Sequence, residues 1–550
     1  MTDGKIKLAS SWVMGTLFVI AISTTCQILF SSLGYTPADD GFILSGARRI
    51  LWGEIPHKDF ITIRPLLPYL IHAPIVYIGG DYTYWLSRFF VLIQFALIAW
   101  LWVLIAEKVL NIMFPPLKKI VFAFYSFIYG VYEFPFMAWY SIDAVLVATL
   151  GLWFSLQNKS YFKFIGYLLI GLSPLARQNF ILVGPILLFL LGDYKKWQYW
   201  VASFLPLLLM GFYLLIMGAV PEAVRQLTVH TELFETGFLA YYRNKAFLQG
   251  IVVGATGAYF FLARTNAEFK KYSRVQILVG SILLLTGFYY AAYSMLRPDT
   301  YYGTGSFLIF GLAVGMSLCL FFEVPPLRSY VRLVAVFAPI AWSVSISIGH
   351  NTPGLATGGL VVCLLAFLTT PLKKRNITNR RPQFLALCFL LLPISFIFIY
   401  IRRNQIYEER PAGELTYRLD GIYPGGNLIR TNKRTYTYLL DLQQAIKKIG
   451  TKQFFILPDT PGYWAAAKQK NPLPIDWPNP GELYTKQLMD RAIAVLKEKR
   501  GKAVVILQKV IAVELANKFT PVDYSSTPLL KYVTGNYKKT GETNLFSIYE

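Results

Sequence analysis

Charge is scarce in this chain. Only 15% of its 550 residues are Asp, Glu, Lys or Arg, while 55% are apolar and 16% aromatic; a soluble domain carries about a quarter charged residues. That balance excludes a soluble globular protein and a disordered one. Cysteine and histidine are as rare, at four each. Cys26, Cys319, Cys363 and Cys388 lie inside apolar runs without a CxxC, so neither a disulfide framework nor a zinc site is expected. His57, His72, His230 and His350 are scattered without HExxH spacing, so no His-ligated metal and no cofactor is expected. No internal repeat is visible. The net charge of +23 would suit nucleic acid, but the apolar runs between the basic clusters are too long for a solvated binding face. No nucleic-acid partner is expected; Lys and Arg mark membrane edges instead.

What the chain has in abundance is long apolar runs. Thirteen recur, at about 11–33, 82–106, 119–141, 143–157, 164–177, 179–192, 198–216, 246–264, 275–296, 304–322, 331–348, 355–371 and 383–401. The longer ones meet the roughly 20 residues a helix needs to cross a bilayer. With this count, Lys5 and Lys7, Lys118 and Lys119, Lys159 and Lys163, Lys195 and Lys196, the Lys270 to Arg274 cluster, Arg328 and Arg332, and Lys373 to Arg381 fall on one side. By the positive-inside rule that side is cytoplasmic, as is the N-terminus. Residues 34–81, the loop 217–245, the stretches near Arg297 and His350, and everything after Ile401 are then external. The expected architecture is an all-α polytopic membrane domain over residues 1–401, followed by a small external α/β domain over 402–550. In that domain β-type runs (Phe454 to Leu457, Ala503 to Leu507) alternate with helical ones. A multi-pass protein of a plasma or inner membrane is the simplest location.

The first external loop gathers the chemistry. Phe42, Leu44, Ile50, Leu51 and Trp52 mix with Arg48 and Arg49 in a stretch that suits an amphipathic helix on the membrane surface. Asp39 and Asp40 precede it, where carboxylates cap helices. Taken with Arg48, Arg49, Lys58 and Arg64, the same acids suit an anionic lipid head group, the guanidiniums taking phosphate and a carboxylate accepting a proton. Arg48 and Arg49 also fit plain interfacial snorkelling. The apolar stretch from Leu66 to Gly79 fits the topology only as an interfacial or re-entrant segment. Asp143 opens an apolar helix, as a cap or as a costly intramembrane acid with a function. Arg297 and the tyrosines after it, Tyr301 and Tyr302, face outward and suit acceptor gating. The stretch I-L-P-D-T-P-G-Y-W around Asp459 suits contact with the acceptor or, as the plainer reading, a strand followed by a turn with Asp459 as a turn residue.

The run A-D-D-G-F-I-L-S-G-A-R-R-I-L-W-G-E-I-P-H-K-D-F, followed by I-R-P-L-L-P-Y-L, resembles the first external loop of GT-C fold glycosyltransferases that use polyprenyl-phosphate sugars. The protein O-mannosyltransferases and lipid A aminoarabinose transferases are members. Three more matches follow in order: Ser87-Arg88-Phe89, S-I-D-A-V-L-V-A around Asp143, and G-L-S-P-L-A-R-Q-N-F. The motifs cover about the first 200 residues. The resemblance implies that Asp39 matches a catalytic Asp, Asp40 replaces its Glu partner, Arg64 replaces a phosphate-binding Lys, and Arg177 with Gln178 matches a Lys-Gln step. It leaves open which of Asp39 and Asp40 is the base. Arg48 and Arg88 join the expected donor-binding set. The activity implied is sugar transfer from a polyprenyl-monophosphate carrier to an external glycan, lipid or protein, with inversion. A transporter or flippase is the main alternative. It predicts duplicated halves with broken helices, whereas here the acids concentrate in one loop.

Overall fold

The computed structural model describes residues 2–232, 237, 239, 241, 244–263, 273–294, 296, 303–321, 325–347, 351–369 and 381–550. Within the described residues each of the thirteen apolar runs contains a helix. In chain order the first half contains α1 (Thr2–Phe30), α2 (Phe42–Leu51), α3 (Leu67–Gly79), α4 (Thr83–Leu110), α5 (Pro116–Val131), α6 (Tyr140–Ser155), α7 (Ser160–Ala176), α8 (Val183–Leu190), α9 (Trp197–Ile216) and α10 (Val220–Leu227). Helices Lys245–Ala263, Ser273–Ser294, Thr304–Phe321, Pro325–Ser345, Gly354–Thr369 and Arg381–Asn404 follow.

Among the described residues, five stretches are long and apolar enough to cross a membrane: Ser11–Phe30, Leu67–Leu110, Trp197–Ile216, Thr304–Phe321 and Leu387–Asn404. Others, such as the 16-residue α6, reach only about 24 Å, short of the roughly 30 Å hydrocarbon core. The expected thirteen spans are therefore not confirmed: the described residues give five stretches of spanning length. The exposed side chains agree with a lipid surrounding: Leu208, Leu209, Phe212, Leu215 and Ile216 of α9 all lie on the surface, an apolar patch that water would not tolerate.

Two local expectations change. The run 119–141 breaks at Val131, because Pro135 cannot continue a helix, and Thr352 Oγ1 donates to Glu133 in the loop so formed at 2.6 Å. The helix α2 does not lie free on a membrane. Seven of its residues, including Arg49, are buried.

The C-terminal region holds a short pair, β1 (Tyr417–Arg418) with β2 (Arg430–Thr431), and a four-stranded sheet in the order β3-β4-β6-β5. Strands β3 (Gln453–Leu457) and β4 (Ala503–Gln508) are parallel, with Phe455 beside Val505. Strands β5 (Lys539–Glu542) and β6 (Phe546–Tyr549) close it antiparallel. The period-two alternation of a strand divides the side chains between two cores. Phe455, Leu457, Val505 and Leu507 pack with Leu488, Leu496 and Leu529. Phe454, Ile456, Val504 and Ile506 join the same continuous core as the membrane helices. One face of the sheet is thus packed into the same core as the preceding helices.

The first loop seals that junction. Gly462 N donates to the Pro37 carbonyl at 3.0 Å, and Ile61 N to the Pro474 carbonyl at 2.6 Å. A Cβ on Gly41 would sit 2.0 Å from Gly462 Cα, so only glycine allows this approach. Arg49 grips Asp476 in a two-point fork, Nε to Oδ2 at 2.7 Å and Nη2 to Oδ1 at 2.8 Å.

Candidate functional site

The two adjacent acids of the loop live in different surroundings. Asp40 is pinned: Arg88 Nη2 on α4 donates to its two oxygens at 3.0 and 3.1 Å, and Thr36 N donates to Oδ2 at 3.0 Å. The same Arg88 also donates to the carbonyls of Ser31 at 2.9 Å and Gly34 at 2.8 Å. Asp40 and Arg88 therefore form a charge-neutral pair, beside a cavity of about 50 Å³. Neither acid caps α2, whose N-cap is Gly41 with no side-chain hydrogen bond.

Asp39 is buried too, but among the described residues no cation pairs with it directly. The Tyr407 hydroxyl donates to Oδ2 at 2.6 Å. Burial pushes its pKa up to about 6, with a further push from Asp40, while the Tyr407 hydrogen bond and the Arg64 charge act the other way. Two further carboxylates face it. Glu408 accepts from Thr36 Oγ1 at 2.9 Å and is pushed up to about 8, by burial and then by Asp39. Its φ of 48° is left-handed, a conformation costing on the order of 1 kcal/mol or more for a residue with a side chain. Asp459 follows the carboxyl end of β3, where open α/β sheets bind ligands. The Trp477 Nε1–H donates to it, and burial pushes its pKa up to about 7, Asp39 adding to the rise.

Arg64 and Arg177 meet across a cavity of about 90 Å³ that Tyr140, Gln178 and Asn179 also line. Both guanidiniums lie over the Tyr140 ring, at 5.3 and 5.2 Å from its centroid. Arg64 has a carboxylate partner, Glu482, with Nη1 2.6 Å from Oε1; burial opposes its charge, and Glu482 more than restores it. The Arg64 Nε is buried with no hydrogen-bond partner. Arg177 differs. It is 3% exposed, and donates only to the neutral Ser141 hydroxyl and the Ile346 carbonyl. Among the described residues no carboxylate pairs with it. Gln178 Nε2 donates to the Ile63 carbonyl at 3.0 Å and fastens the loop beside it.

An apolar groove of about 510 Å³ is lined by Leu66 at the end of the loop, Leu70 of α3, Leu168, Leu172 and Leu175 of α7, and Leu209 of α9. Leu66 is two residues from Arg64 and Leu175 two residues from Arg177.

The remaining expected residues lie elsewhere. Asp143, in the first turn of α6, is buried with Gln94 Nε2 at 2.7 Å and His72 Nε2 at 3.3 Å, a cluster of α3, α4 and α6. Arg48 donates to the Ala465 carbonyl of the C-terminal region at 3.2 Å. Arg297, Tyr301 and Tyr302 fall outside the described residues, as does His350. Among the described residues no group of three or more His, Cys, Asp or Glu is placed to hold a metal ion. Sequence reasoning missed Tyr407, Glu408, Trp477 and Glu482, and took Asp459 for a turn. The available signals were the Glu408-Glu409 doublet just after the last apolar run and an acid directly following a buried strand.

No protein-family model and no curated protein matches the chain. Among solved structures the chain is similar to the oligosaccharyltransferase of Archaeoglobus fulgidus tethered with an acceptor peptide containing the NVT sequon. The identity is 12%, over 90% of this chain and 69% of that one, with a TM-score of 0.45. The apo form of that protein gives 13% identity over the same shares and a TM-score of 0.41.

Proposed function

We propose that the chain is an integral membrane glycosyltransferase that moves a sugar from a polyprenyl-monophosphate carrier to an external acceptor. The observation that carries this reading is Arg177. A buried charge is ordinarily paired within the protein, and here a buried guanidinium lacks a carboxylate among the described residues, faces a second guanidinium across a cavity, and lies two residues along the chain from Leu175, which lines an apolar groove. A lipid phosphate satisfies all three conditions. Its oxygens pair with Arg177 and with the free Nε of Arg64, and its prenyl chain lies along the leucines.

In the proposed reaction Asp39 is the base. Asp40 is held by Arg88, whereas Asp39 keeps an oxygen without a cation and has a pKa near 6. It is then largely ionised at neutral pH and still basic enough to accept a proton. It takes the proton of the acceptor hydroxyl or amine as that atom attacks the anomeric carbon. The bond from that carbon to the phosphate oxygen breaks on the opposite face, inverting the centre. The electron pair leaves on polyprenyl phosphate, and the arginines stabilise the growing charge. A phosphate leaves as a stable anion, so the acid that glycoside hydrolases need for an alkoxide is not required. The proposed setting is a plasma or inner membrane, with the sheet domain outside.

The test is incubation of the purified protein with a panel of polyprenyl-monophosphate sugars, with released polyprenyl phosphate followed by mass spectrometry. Release by the wild type and not by Asp39→Asn supports the assignment. Equal release by both removes Asp39 from the role of base. No release from any donor by folded protein favours transport instead.

A further inference from the structure

We infer that a second groove, on the external domain, binds saccharide, which makes the acceptor a glycan. The word acceptor rests on the transferase reading above; the binding itself does not. The groove has a volume of about 550 Å³, within the roughly 300–1,000 Å³ of ordinary ligand sites. It lies between the helices Lys433–Ile449 and Gly462–Ala466, with the Gly421 to Asn427 loop and Asp81 at its rim.

One wall is aromatic. Tyr463 is half-buried, with its ring centroid 5.8 Å from Phe454, 6.2 Å from Tyr423 and 5.1 Å from Trp464. Rings held in this way form a rigid platform. Around it stand Lys447, Lys468 and Gln469. These three side chains and the Tyr463 hydroxyl make no hydrogen bond among the described residues, so their donors are free. A pyranose presents C–H groups on one face and hydroxyls around its rim. A fixed ring surrounded by unpaired amide and ammonium donors matches both.

An extended peptide fits less well, because it pairs through backbone groups and the loop at the rim uses its own. Gly421 N donates to Asn427 Oδ1, Gly426 N to the Tyr423 carbonyl, and Asn427 N to the Asp81 carbonyl. The groove is also tied to the reacting acids. The five-residue helix that ends at Ala466, in the groove, begins at Gly462, against Gly41 beside Asp40. That helix is only about 7 Å long, so a glycan held at Tyr463 extends toward Asp39 within a few sugar units.

The test is binding, independent of turnover. Labelled full-length protein in nanodiscs is passed over an oligosaccharide array with a peptide array beside it, and the strongest oligosaccharide is titrated. The inference predicts sugar binding that weakens about tenfold in Tyr463→Ala and is retained in Tyr463→Phe. The pair Lys468→Ala with Gln469→Ala, at the groove's rim, weakens it as well and serves if Tyr463→Ala fails to fold. Absence of binding to any sugar, equal binding by the folded variants, or binding to peptides alone overturns the inference. Sugar binding without cleavage of any donor refutes the transferase reading and leaves the groove standing.

Discussion

Arg88 and Arg177 are both buried arginines in the helical half of the chain, and they are opposite in what surrounds them. Arg88 meets a carboxylate and three backbone carbonyls, and its charge is neutralised within the protein. Arg177 meets a hydroxyl and one carbonyl, and its corner keeps an excess positive charge beside a cavity. Sequence alone does not distinguish them, because each is a lone cation at an apolar run. The difference is that a paired buried charge holds a structure together, whereas an unpaired one is left for a ligand. The two loop acids divide in the same way, Asp40 paired with a cation and Asp39 facing other acids.

The largest effect sharpens that second division. Asp39→Asn should lower release of polyprenyl phosphate by about 10² to 10⁴-fold, the usual contribution of a general base, with the fold retained. Asp40→Asn should act on stability first, read by thermal unfolding in detergent. Next comes Arg88→Ala, which strands Asp40 without its cation and should destabilise the protein by about 3–5 kcal/mol. Arg177→Gln removes an unpaired charge, so it should leave stability equal or higher while weakening donor binding about 10 to 100-fold. A large loss of stability in Arg177→Gln would break the comparison.

A smaller effect is pH dependence. Asp39 must be ionised to act, so the rate should rise as pH passes through about 6. Stability runs the other way. Asp39, Glu408 and Asp459 have folded pKa values of about 6, 8 and 7, all above their ordinary carboxylate values. Through that window the folded state binds more protons than the unfolded one, so stability falls as pH rises from about 4 to 8. Glu408→Gln should flatten the upper part of that slope in thermal unfolding at stepped pH. Smallest of all, Glu482→Gln should tighten donor binding a few-fold, about 2 to 5, because it releases Arg64 from a competing carboxylate.

The helices were readable from apolar runs, since a helix needs only local pattern, and most ends lie within a few residues; α1 starts nine residues before its run, the helix Pro325–Ser345 six before, and Pro135 stops α5 early. Asp39, Arg64 and Arg177 stand out because charge is conspicuous in so apolar a chain. The partners that separate Asp39 from Asp40 do not. Tyr407 and Asp39 are 368 residues apart, and Arg64 and Glu482 are 418 apart. Pairings at that distance leave no periodic trace. Asp459 looked like a turn residue because Pro458 and Thr460 flank it; its burial follows from the sheet face packed into the same core as the helices, which is a tertiary fact. The fate of Arg48 and Arg49 was hidden for the same reason. Both fit a membrane surface by sequence, and both contact the C-terminal region.

The most direct test of the central claim is thermal unfolding of the wild type and of Arg177→Gln over a titration of polyprenyl phosphate in detergent. A ligand that binds the folded state raises the midpoint with concentration. The account predicts a rising midpoint in the wild type and a flat one in the variant. An equal rise in both proteins would contradict it and place the phosphate away from Arg177.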